Sequence, residues 1–478
     1  MSDIDVRTGT ADLVGDDADL GRVHFVGIGG VGMSGIARIL LARGVPVSGS
    51  DAKESRTVVA LRALGAAVHV GHAPENLGDA RTVVVSTAIR DSNPELVEAR
   101  RRGLRVLPRA AALAAVMAGR HRVAVAGTAG KTSTTSMLTV VAQVCGVDPS
   151  FAIGGDLNES GSNAHHGSGN LFVAEADESD GSFLLLDPDA AVVTNVEVDH
   201  LDQHGTAEAY AQVFDRFVSR ITPGGFLVVC ADDPGARSLA GYARSLPLRV
   251  RSYGESPDAD LRLADIQVGQ RGTTYQAFHD GTSLGQVRIA VPGRHMALNS
   301  AAALLAALEL GLPVQRVLDG LAAYQGVHRR FELRGTVGGI RVYDDYAHHP
   351  SKITAQLRAA RAVVGDGRLV VAFQPHLYSR TRAFASEFGR ALGLADEVVV
   401  MEVYGAREDP IPGVTGATVA AQVPLPPERV CFEPSWSRVV TEVARRARPG
   451  DMVITMGAGD VTMIGPEVLA VLNERYGS

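Results

Sequence analysis

Two glycine-rich segments, each directly behind a short apolar run, constrain the fold of this chain more than any other feature. Residues 27–35 follow the run Val23–Val26, and residues 127–133 follow the run 123–125. A strand, a glycine-rich turn and a helix in this order form one half of a mononucleotide-binding βαβ unit. The sequence therefore predicts an α/β fold with two separate sites for phosphate groups.

The second segment carries Lys131, one of only three lysines among 46 basic residues. Lysine is a compact point charge that fits a tight phosphate cradle, whereas arginine is a planar fork. The glycines let backbone N–H groups converge on phosphate oxygens, and the hydroxyl after the lysine can bind Mg²⁺. Val125 stands where the standard P-loop pattern has glycine. The candidate ATP-binding residues are Gly127, Thr128, Ala129, Gly130, Lys131, Thr132 and Ser133.

Length and charge limit the class of protein. A chain of 478 residues predicts three domains, and a net charge of −7 gives no electrostatic case for nucleic acid or an anionic membrane. The three cysteines are far apart and supply neither a disulfide framework nor a metal clip. No signal peptide or membrane span is expected, so the prediction is a cytoplasmic enzyme with small-molecule partners, as a monomer or a homodimer.

The pattern of strands and helices divides the chain. We expect a mobile acidic tail over residues 1–20, a first domain over 21–118, a central domain over 119–325 and a C-terminal domain over 326–478. In the central domain, short alternating segments between residues 250 and 292 predict a small antiparallel annex. The third domain begins another βα series, with strands predicted at 340–343, 369–373, 397–400 and 452–455.

The first glycine motif is weak evidence by itself. Gly27, Gly29 and Gly32 match G-x-G-x-x-G, and Asp51 ends the next strand, where a ribose-binding carboxylate belongs. This arrangement serves NAD, FAD or a UDP-sugar equally well, so an NAD-dependent oxidoreductase remains an alternative. A nicotinamide enzyme has no use for the Lys131 loop, however, and an ATP-dependent ligase needs one.

Polar residues collect at strand ends elsewhere. Glu175, Asp177, Glu178 and Asp180 follow one apolar run of the central domain, and His200 follows another. Because ligands of open α/β sheets bind at the carboxyl ends of the strands, we expect these residues to lie near Lys131. The third domain has similar clusters at residues 329–330, 344–350 and 374–380, where arginine can stabilise phosphoryl transfer and histidine can move protons.

The order of these motifs resembles the Mur ligase family, the ATP-dependent amide-forming enzymes of peptidoglycan precursor synthesis. The resemblance covers nearly the whole chain, through GIGGVGMSGIA, GTAGKTSTT, EADESDGSF, NVEVDHLD, PGRHMALNSAAA, RRFELRG, DDYAHHPSKI and FQPHLYSRT. It implies three domains: a Rossmann-like UDP-binding domain, a P-loop-type ATPase domain and a C-terminal Rossmann-like domain. The first and seventh motifs look most like the branch that joins L-alanine to UDP-N-acetylmuramate.

The resemblance also implies roles for individual residues. Lys131 would bind the β and γ phosphates, and Mg²⁺ would be held by Thr132, Glu175 and His200. The nucleotide-contacting residues would include His295, Asn299, Arg330 and Asp345. The amino acid would face Tyr346, His348 and Arg380. Lys131, His200, Arg330, His348 and Arg380 are thus the candidate catalytic residues. The UDP-sugar would contact Gly29, Gly30, Val31, Gly32, Met33, Ser34, Asp51 and Ser86.

Three departures from the family pattern qualify the resemblance. Ala129 stands where most relatives have histidine, and Leu377 stands where several have a basic residue. No lysine occurs between Lys131 and Lys352, whereas members that add later residues use a carbamoylated lysine. The implied reaction phosphorylates the carboxylate of UDP-N-acetylmuramate with ATP, and L-alanine then displaces phosphate. A ligase that attaches a ready-made tripeptide to the same sugar nucleotide is the nearest alternative, and a nucleotide-sensing binding module is another.

Overall fold

The computed structural model describes residues 20–406 and 408–476, so nearly all of the expected tail over residues 1–20 lies outside the described residues. Two compact units are present. The first holds residues up to 264 together with 276–287 and 298–324, and the second holds 265–275, 288–297 and 325 onward. None of the helices in the described part is long and apolar enough to cross a membrane.

The first sheet of unit one is fully parallel, in the order β3-β2-β1-β4-β5. The strands are β1 Val23–Val26, β2 Val47–Asp51, β3 Ala67–Val70, β4 Thr82–Val85 and β5 Arg105–Pro108. The helices are α1 Val31–Ala42, α2 Arg56–Ala63, α3 Pro94–Arg101 and α4 Arg109–Met117, with a 3₁₀ turn at Pro74–Leu77. The order reverses beside the central strand β1, and in such sheets this switch point is where ligands bind.

The second sheet of unit one contains β12-β11-β10-β6-β9-β7-β8 as neighbours. These strands are β6 His121–Ala126, β7 Ser150–Ala152, β8 Ala164–His165, β9 Leu171–Glu175, β10 Ala190–Val193, β11 Phe226–Cys230 and β12 Arg249–Gly254. The helices are α5 Lys131–Val144, α6 Leu201–His204, α7 Ala207–Val218 and α8 Pro234–Ala243, with a 3₁₀ turn at Ser182–Leu185. Because β6 pairs in parallel with both β9 and β10, their carboxyl ends meet at one edge.

The predicted annex corresponds to three neighbouring strands of the same sheet, β13 Leu261–Gly269, β14 Gly272–His279 and β15 Thr282–Ile289. The expectation that antiparallel structure begins near residue 250 is wrong, because β12 pairs in parallel with β11 and Tyr253 pairs in parallel with Leu261 of β13. Helix α8 provides the crossover that keeps β12 parallel to β11. Helices α9 Arg294–Glu309 and α10 Val314–Ala323 follow.

The sheet of unit two has the order β16-β17-β21-β18-β19-β20, and only the β16–β17 pair is antiparallel. Its strands are β16 Glu332–Val337, β17 Ile340–Asp345, β18 Leu369–Phe373, β19 Glu397–Val400, β20 Val430–Phe432 and β21 Met452–Met456. The helices are α11 Pro350–Val364, α12 Tyr378–Ala383, α13 Ala385–Leu392, α14 Gly416–Ala420, α15 Trp436–Arg446 and α16 Ile464–Tyr476, with 3₁₀ turns at Pro427–Arg429 and Asp460–Met463.

Strand β18 explains why the strands of unit two are continuous apolar runs. Leu369, Val371 and Phe373 join one core cluster, whereas Val370 and Ala372 join a second cluster on the opposite face. Helices cover both faces, so every position is buried and the alternation of polar and apolar residues disappears. The predicted strands at 369–373 and 397–400 are confirmed residue for residue.

Candidate functional site

A cavity of about 360 Å³ in unit one lies against the first glycine-rich turn. Of the sequence-predicted sugar-nucleotide residues, six line it: Gly30, Val31, Gly32, Met33, Asp51 and Ser86. It is also lined by residues at or just after the ends of strands of the second sheet, among them Gly154, Glu175 and Asp177. The cavity therefore extends from the first phosphate-binding turn to the carboxyl end of β9.

Asp51 also shapes the turn that it faces. One of its carboxylate oxygens accepts a hydrogen bond from the Gly29 amide at 2.9 Å, and a Cβ added at Gly29 would approach that oxygen to 2.8 Å. Ser34 is buried, and its hydroxyl donates to the carbonyl of Val31 at 3.0 Å. Asn163, from the second sheet's side, donates to the same carbonyl at 2.7 Å. The first turn of α1 is thus fixed by side chains as well as by its own backbone.

Behind the end of β2, the carboxylate of Glu95 is fully buried. It accepts hydrogen bonds from Ser50 at 2.5 Å and Asn76 at 2.7 Å, and His24 lies 3.4 Å away. Burial opposes the charge, but these hydrogen bonds from His24, Ser50 and Asn76 outweigh it and lower the pKa of Glu95 to about 2. The charged cluster ties helix α3 to the strand that presents Asp51.

The Lys131 loop has the geometry of a phosphate cradle. Gly127 and Gly130 adopt φ of +132° and +87°, which lie in the region that glycine reaches without steric cost. Helix α5 begins at Lys131, so its free amides point toward the loop. A Cβ at Gly127 would collide with the Thr194 hydroxyl, and one at Gly130 would collide with the Asn299 amide oxygen. Asn299 thus lies directly against the loop.

Lys131 is held by a buried carboxylate. Its Nζ lies 2.6 Å from Oε2 of Glu178, which is fully buried, and 2.8 Å from the carbonyl of Gly127. Burial disfavours the ammonium, but the carboxylates of Glu178, Asp177 and Glu175 outweigh it and raise the pKa of Lys131. The lysine is therefore a permanent positive charge at the loop.

Thr132 and Glu175 meet at the start of α5. The Thr132 hydroxyl donates to Oε1 of Glu175 at 3.0 Å, and the Gly154 amide donates to Oε2 at 2.7 Å. His200 has φ of +52°, and its Nε2 lies 3.6 Å from Asp199 and 3.9 Å from Glu178. The three strand ends therefore converge as predicted, with His200 close to the carboxylate that holds Lys131.

Backbone contacts hold the loop at Ala129. Its amide donates to Asn195 at 2.8 Å, and its carbonyl accepts from Thr194 at 2.6 Å and from Asn195 at 3.0 Å. Thr128 contacts the hydroxyl of the buried Tyr210 at 2.9 Å. The loop, which has alanine in place of histidine, is therefore held through the main chain of Ala129. The residues that hold it, Thr194 and Asn195, directly follow β10.

In unit two, Asp345 supports the turn that carries Arg330. Its two oxygens accept hydrogen bonds from the amides of Phe331 and Ala347, each at 2.8 Å. Burial raises the pKa of Asp345 to about 6, against the lowering effect of Arg330. The guanidinium of Arg330 lies 5.0 Å from the ring centre of Tyr346. Asp345, Arg330 and Tyr346 thus form one cluster at the end of β17.

His348 and Arg380 both lie beside His376. The ring of His348 lies 5.6 Å from that of His376, and Arg380 Nη1 lies 3.5 Å from His376 Nδ1. His348 Nδ1 donates to the Tyr346 carbonyl at 2.8 Å, which leaves Nε2 as the free acceptor. Burial, with the charges of Lys352 and Arg380, keeps the pKa of His348 well below its usual range.

Leu377 does not present its side chain to solvent. It is buried, its φ is +69°, and its amide donates to the Tyr404 carbonyl at 2.9 Å. Positive φ is costly for a leucine, and such strain concentrates at functional sites. His295 is the second residue of α9, at the end that belongs to unit two.

Sequence reasoning missed Arg109, Asn163 and Gly154. Arg109 and Gly154 line the cavity, and Asn163 donates to the carbonyl of Val31, which also lines it. The position of Arg109 could have been recognised from the sequence, because it directly follows the run Arg105–Pro108. That run is a parallel strand that the sequence pattern did not identify, and Arg109 stands at its carboxyl end. Asn163 and Gly154 stand in irregular segments, where no local pattern marks them.

Family models match three consecutive parts of the chain. Residues 22–121 match the Mur ligase family catalytic domain, residues 125–307 match the Mur ligase middle domain, and residues 329–459 match the Mur ligase glutamate ligase domain. These matches follow the three-domain order that the motifs predict.

Curated relatives match over almost the full length. A UDP-N-acetylmuramate–L-alanine ligase of Saccharopolyspora erythraea is 64% identical, covering 96% of this chain and 95% of the relative. The ligase of the same name from Mycobacterium tuberculosis is 58% identical, again covering 96% of each.

Solved structures carry the same fold. The UDP-N-acetylmuramate-alanine ligase of Thermotoga maritima superimposes with a TM-score of 0.79 at 27% identity, covering 95% of this chain and 99% of that one. A murein peptide ligase of Psychrobacter arcticus gives 0.72 at 25% identity, covering 95% and 98%. With its three domains and their characteristic motifs, the chain belongs to the Mur ligase family, whose members are ATP-dependent ligases.

Proposed function

We propose that this chain joins L-alanine to the carboxylate of UDP-N-acetylmuramate, with ATP converted to ADP and phosphate. The observation that carries the proposal is the cavity that runs from the first glycine turn to Glu175. A sugar nucleotide with its diphosphate at Gly30 and Gly32 would extend its sugar toward the Lys131 loop. The curated relatives named for this reaction, at up to 64% identity, support the same assignment.

The chemistry follows from the charges at the loop. The sugar carboxylate attacks the γ-phosphorus of ATP, ADP leaves, and an acyl phosphate forms. The amine of L-alanine then attacks the acyl carbon, and phosphate leaves. A carboxylate and a triphosphate repel each other, so Lys131, charged at any physiological pH, has to screen the phosphates. Holding both reactants in one cavity removes most of the entropic cost of their encounter.

Mg²⁺ is the metal that such a site fits. Among the described residues, no group of three or more histidine, cysteine or acidic side chains is arranged to hold a metal ion by itself. Mg²⁺ differs from most metals in needing only one or two protein oxygens besides substrate phosphates and water. Thr132 and Glu175 supply a hydroxyl and a carboxylate side by side, with His200 nearby as the third candidate. Bound there, Mg²⁺ would neutralise charge on the phosphates.

We assign Arg330 and Asp345 to the nucleotide, and Tyr346, His348 and Arg380 to the amino acid. His348 is the candidate base because its Nδ1 donates to the Tyr346 carbonyl, which leaves Nε2 to accept the ammonium proton of alanine. His295 and Asn299 would complete the nucleotide site.

We propose domain limits at 21–118, 119–325 and 326–478. The substrates would be small molecules, without nucleic acid or membrane, and a location in the cytoplasm would agree with the use of ATP.

The test is a measurement of phosphate release with ATP and UDP-N-acetylmuramate, comparing L-alanine with the tripeptide L-alanyl-γ-D-glutamyl-meso-diaminopimelate. We expect release with L-alanine and a product heavier by one alanine residue by mass spectrometry. Turnover with the tripeptide alone would instead assign the chain to the recycling activity. Reduction of NAD without ATP, or nucleotide binding without turnover, would contradict ligase function altogether.

A further inference from the structure

The charges that line the cavity do not match the ligand it is proposed to hold. Three carboxylates face it, from Asp51, Glu175 and Asp177, whereas Arg109 is the only basic residue among the described lining residues. A diphosphate carries about two negative charges into this space. The diphosphate is therefore repelled by the three carboxylates. Hydrogen bonds from backbone amides alone do not compensate this repulsion, because the field of the three carboxylates remains. The cavity therefore needs Arg109 as its counter-charge.

Arg109 is placed against the turn that would hold the diphosphate. It is the first residue of α4, directly after β5, at the same carboxyl edge of the first sheet as the glycine turn. A Cβ at Gly32 would come within 2.9 Å of Arg109 Cδ and 3.3 Å of its Nη1. The third glycine of the motif therefore leaves the room through which the arginine passes.

The present partner of Arg109 holds it weakly. Its Nη2 lies 3.6 Å from Oδ2 of Asp177, and the two side chains are 22% and 43% exposed. At this distance the pair is an ion pair without a hydrogen bond, and exposed pairs contribute little. A diphosphate offers Arg109 two oxygens in bidentate geometry, which is a stronger acceptor than the distant carboxylate.

From these contacts we propose that Arg109 is the diphosphate-binding side chain of the cavity, and that it exchanges Asp177 for the diphosphate when the sugar nucleotide binds. The inference rests on the proposed function, since it takes UDP-N-acetylmuramate as the ligand. It adds a binding residue and an exchange step that links the first glycine turn with the segment after β9. Asp177, which would be released from Arg109, is two residues after Glu175 in the sequence.

Equilibrium binding of UDP and of UDP-N-acetylmuramate by calorimetry tests the role of Arg109. For Arg109→Met, which keeps the apolar stem, we expect both ligands to bind about 10- to 100-fold more weakly, by the same factor. Arg109→Lys should recover part of the loss, because lysine restores the charge without the fork. A loss confined to UDP-N-acetylmuramate would overturn the proposal, since the arginine would then read the sugar or its carboxylate.

The exchange is tested with Asp177→Asn. Without the competing carboxylate, Arg109 is free beforehand, so UDP should bind a few-fold more tightly than to the unaltered protein. Weaker or unchanged binding of UDP would refute the exchange.

Arg22→Met is the matched control, since Arg22 also pairs with an aspartate, Asp79, at 3.2 Å but lies outside the cavity lining. Its UDP affinity should not change. Thermal unfolding without ligand shows whether each variant is folded. If Arg109→Met is not folded, the binding comparison is made with Arg109→Lys instead. If the unaltered protein binds neither ligand, the proposed function fails; if it binds both and the Arg109 variants bind equally well, only this inference fails.

Discussion

Removing the ammonium group of Lys131 should destabilise the protein as well as inactivate it. In Lys131→Met the carboxylate of Glu178 stays fully buried but loses the charge that lay 2.6 Å away. Breaking a buried ion pair from one side costs about 3–5 kcal/mol, because the remaining charge has no compensation. For a domain of about 200 residues this corresponds to a fall in melting temperature of roughly 6–20 °C.

The double variant Lys131→Met/Glu178→Gln separates stability from catalysis. The amide that replaces the Glu178 carboxylate carries no charge and can keep the contact with Tyr210, whose hydroxyl lies 3.4 Å from Oε1 of Glu178. We therefore expect the double variant to recover most of the lost stability, by about 2–4 kcal/mol. It should remain inactive, since the charge that screens the phosphates is still absent.

The assays are differential scanning calorimetry without ligand and phosphate release with all three substrates. Lys53→Met serves as the control for loss of an exposed lysine, and its free energy of unfolding should change by no more than about 0.5 kcal/mol. The reasoning is refuted if Lys131→Met has the same melting temperature as the unaltered protein. It is also refuted if the double variant is no more stable than the single variant, or if the double variant regains activity.

Three further predictions concern other parts of the molecule. The folded pKa of Glu95, about 2, lies below its unfolded value of about 4.3, so its stabilisation is present above about pH 4.3 and disappears as the pH falls toward 2. Glu95→Gln should therefore lower the melting temperature at pH 7 and flatten its fall below pH 4.3. Lys352→Met should raise the pKa of His348. As the pH is lowered, kcat at saturating alanine should therefore begin to fall at a higher pH than in the unaltered protein. Gly130→Ala should reduce ATP affinity at least tenfold, because its φ of +87° and the contact with Asn299 both exclude a Cβ.

Each of these predictions has a result that contradicts it. An acid limb of the Glu95→Gln melting curve that parallels that of the unaltered protein would show that this carboxylate does not carry the predicted linkage. A kcat profile of Lys352→Met without an acid-side displacement would exclude His348 as the titrating base. Unchanged ATP affinity in Gly130→Ala would mean that the loop does not need its left-handed residue.

The elements that the sequence predicts best are the buried strands and the glycine turns. Strands such as Leu369–Phe373 are recognisable because helices cover both faces and every position is apolar. Both turns require backbone conformations or close approaches that favour glycine, as Gly130 does at the start of α5. The parallel pairing of β11 with β12 escaped prediction, because strand direction depends on the crossover helix α8 rather than on local composition.

The sequence by itself determined the fold class, the family motifs and the position of Lys131 behind a strand, since each is written in the local order of residues. Only the tertiary structure decided what surrounds them. Glu178 holds Lys131, Asp345 holds the turn of Arg330, and Arg109 faces the glycine turn. Glu178 is 47 positions from Lys131, Asp345 is 14 from Phe331 in the turn of Arg330, and Arg109 is 77 from Gly32. Burial and charge act through space, and local spacing carries no record of which side chains the packed sheets bring into contact.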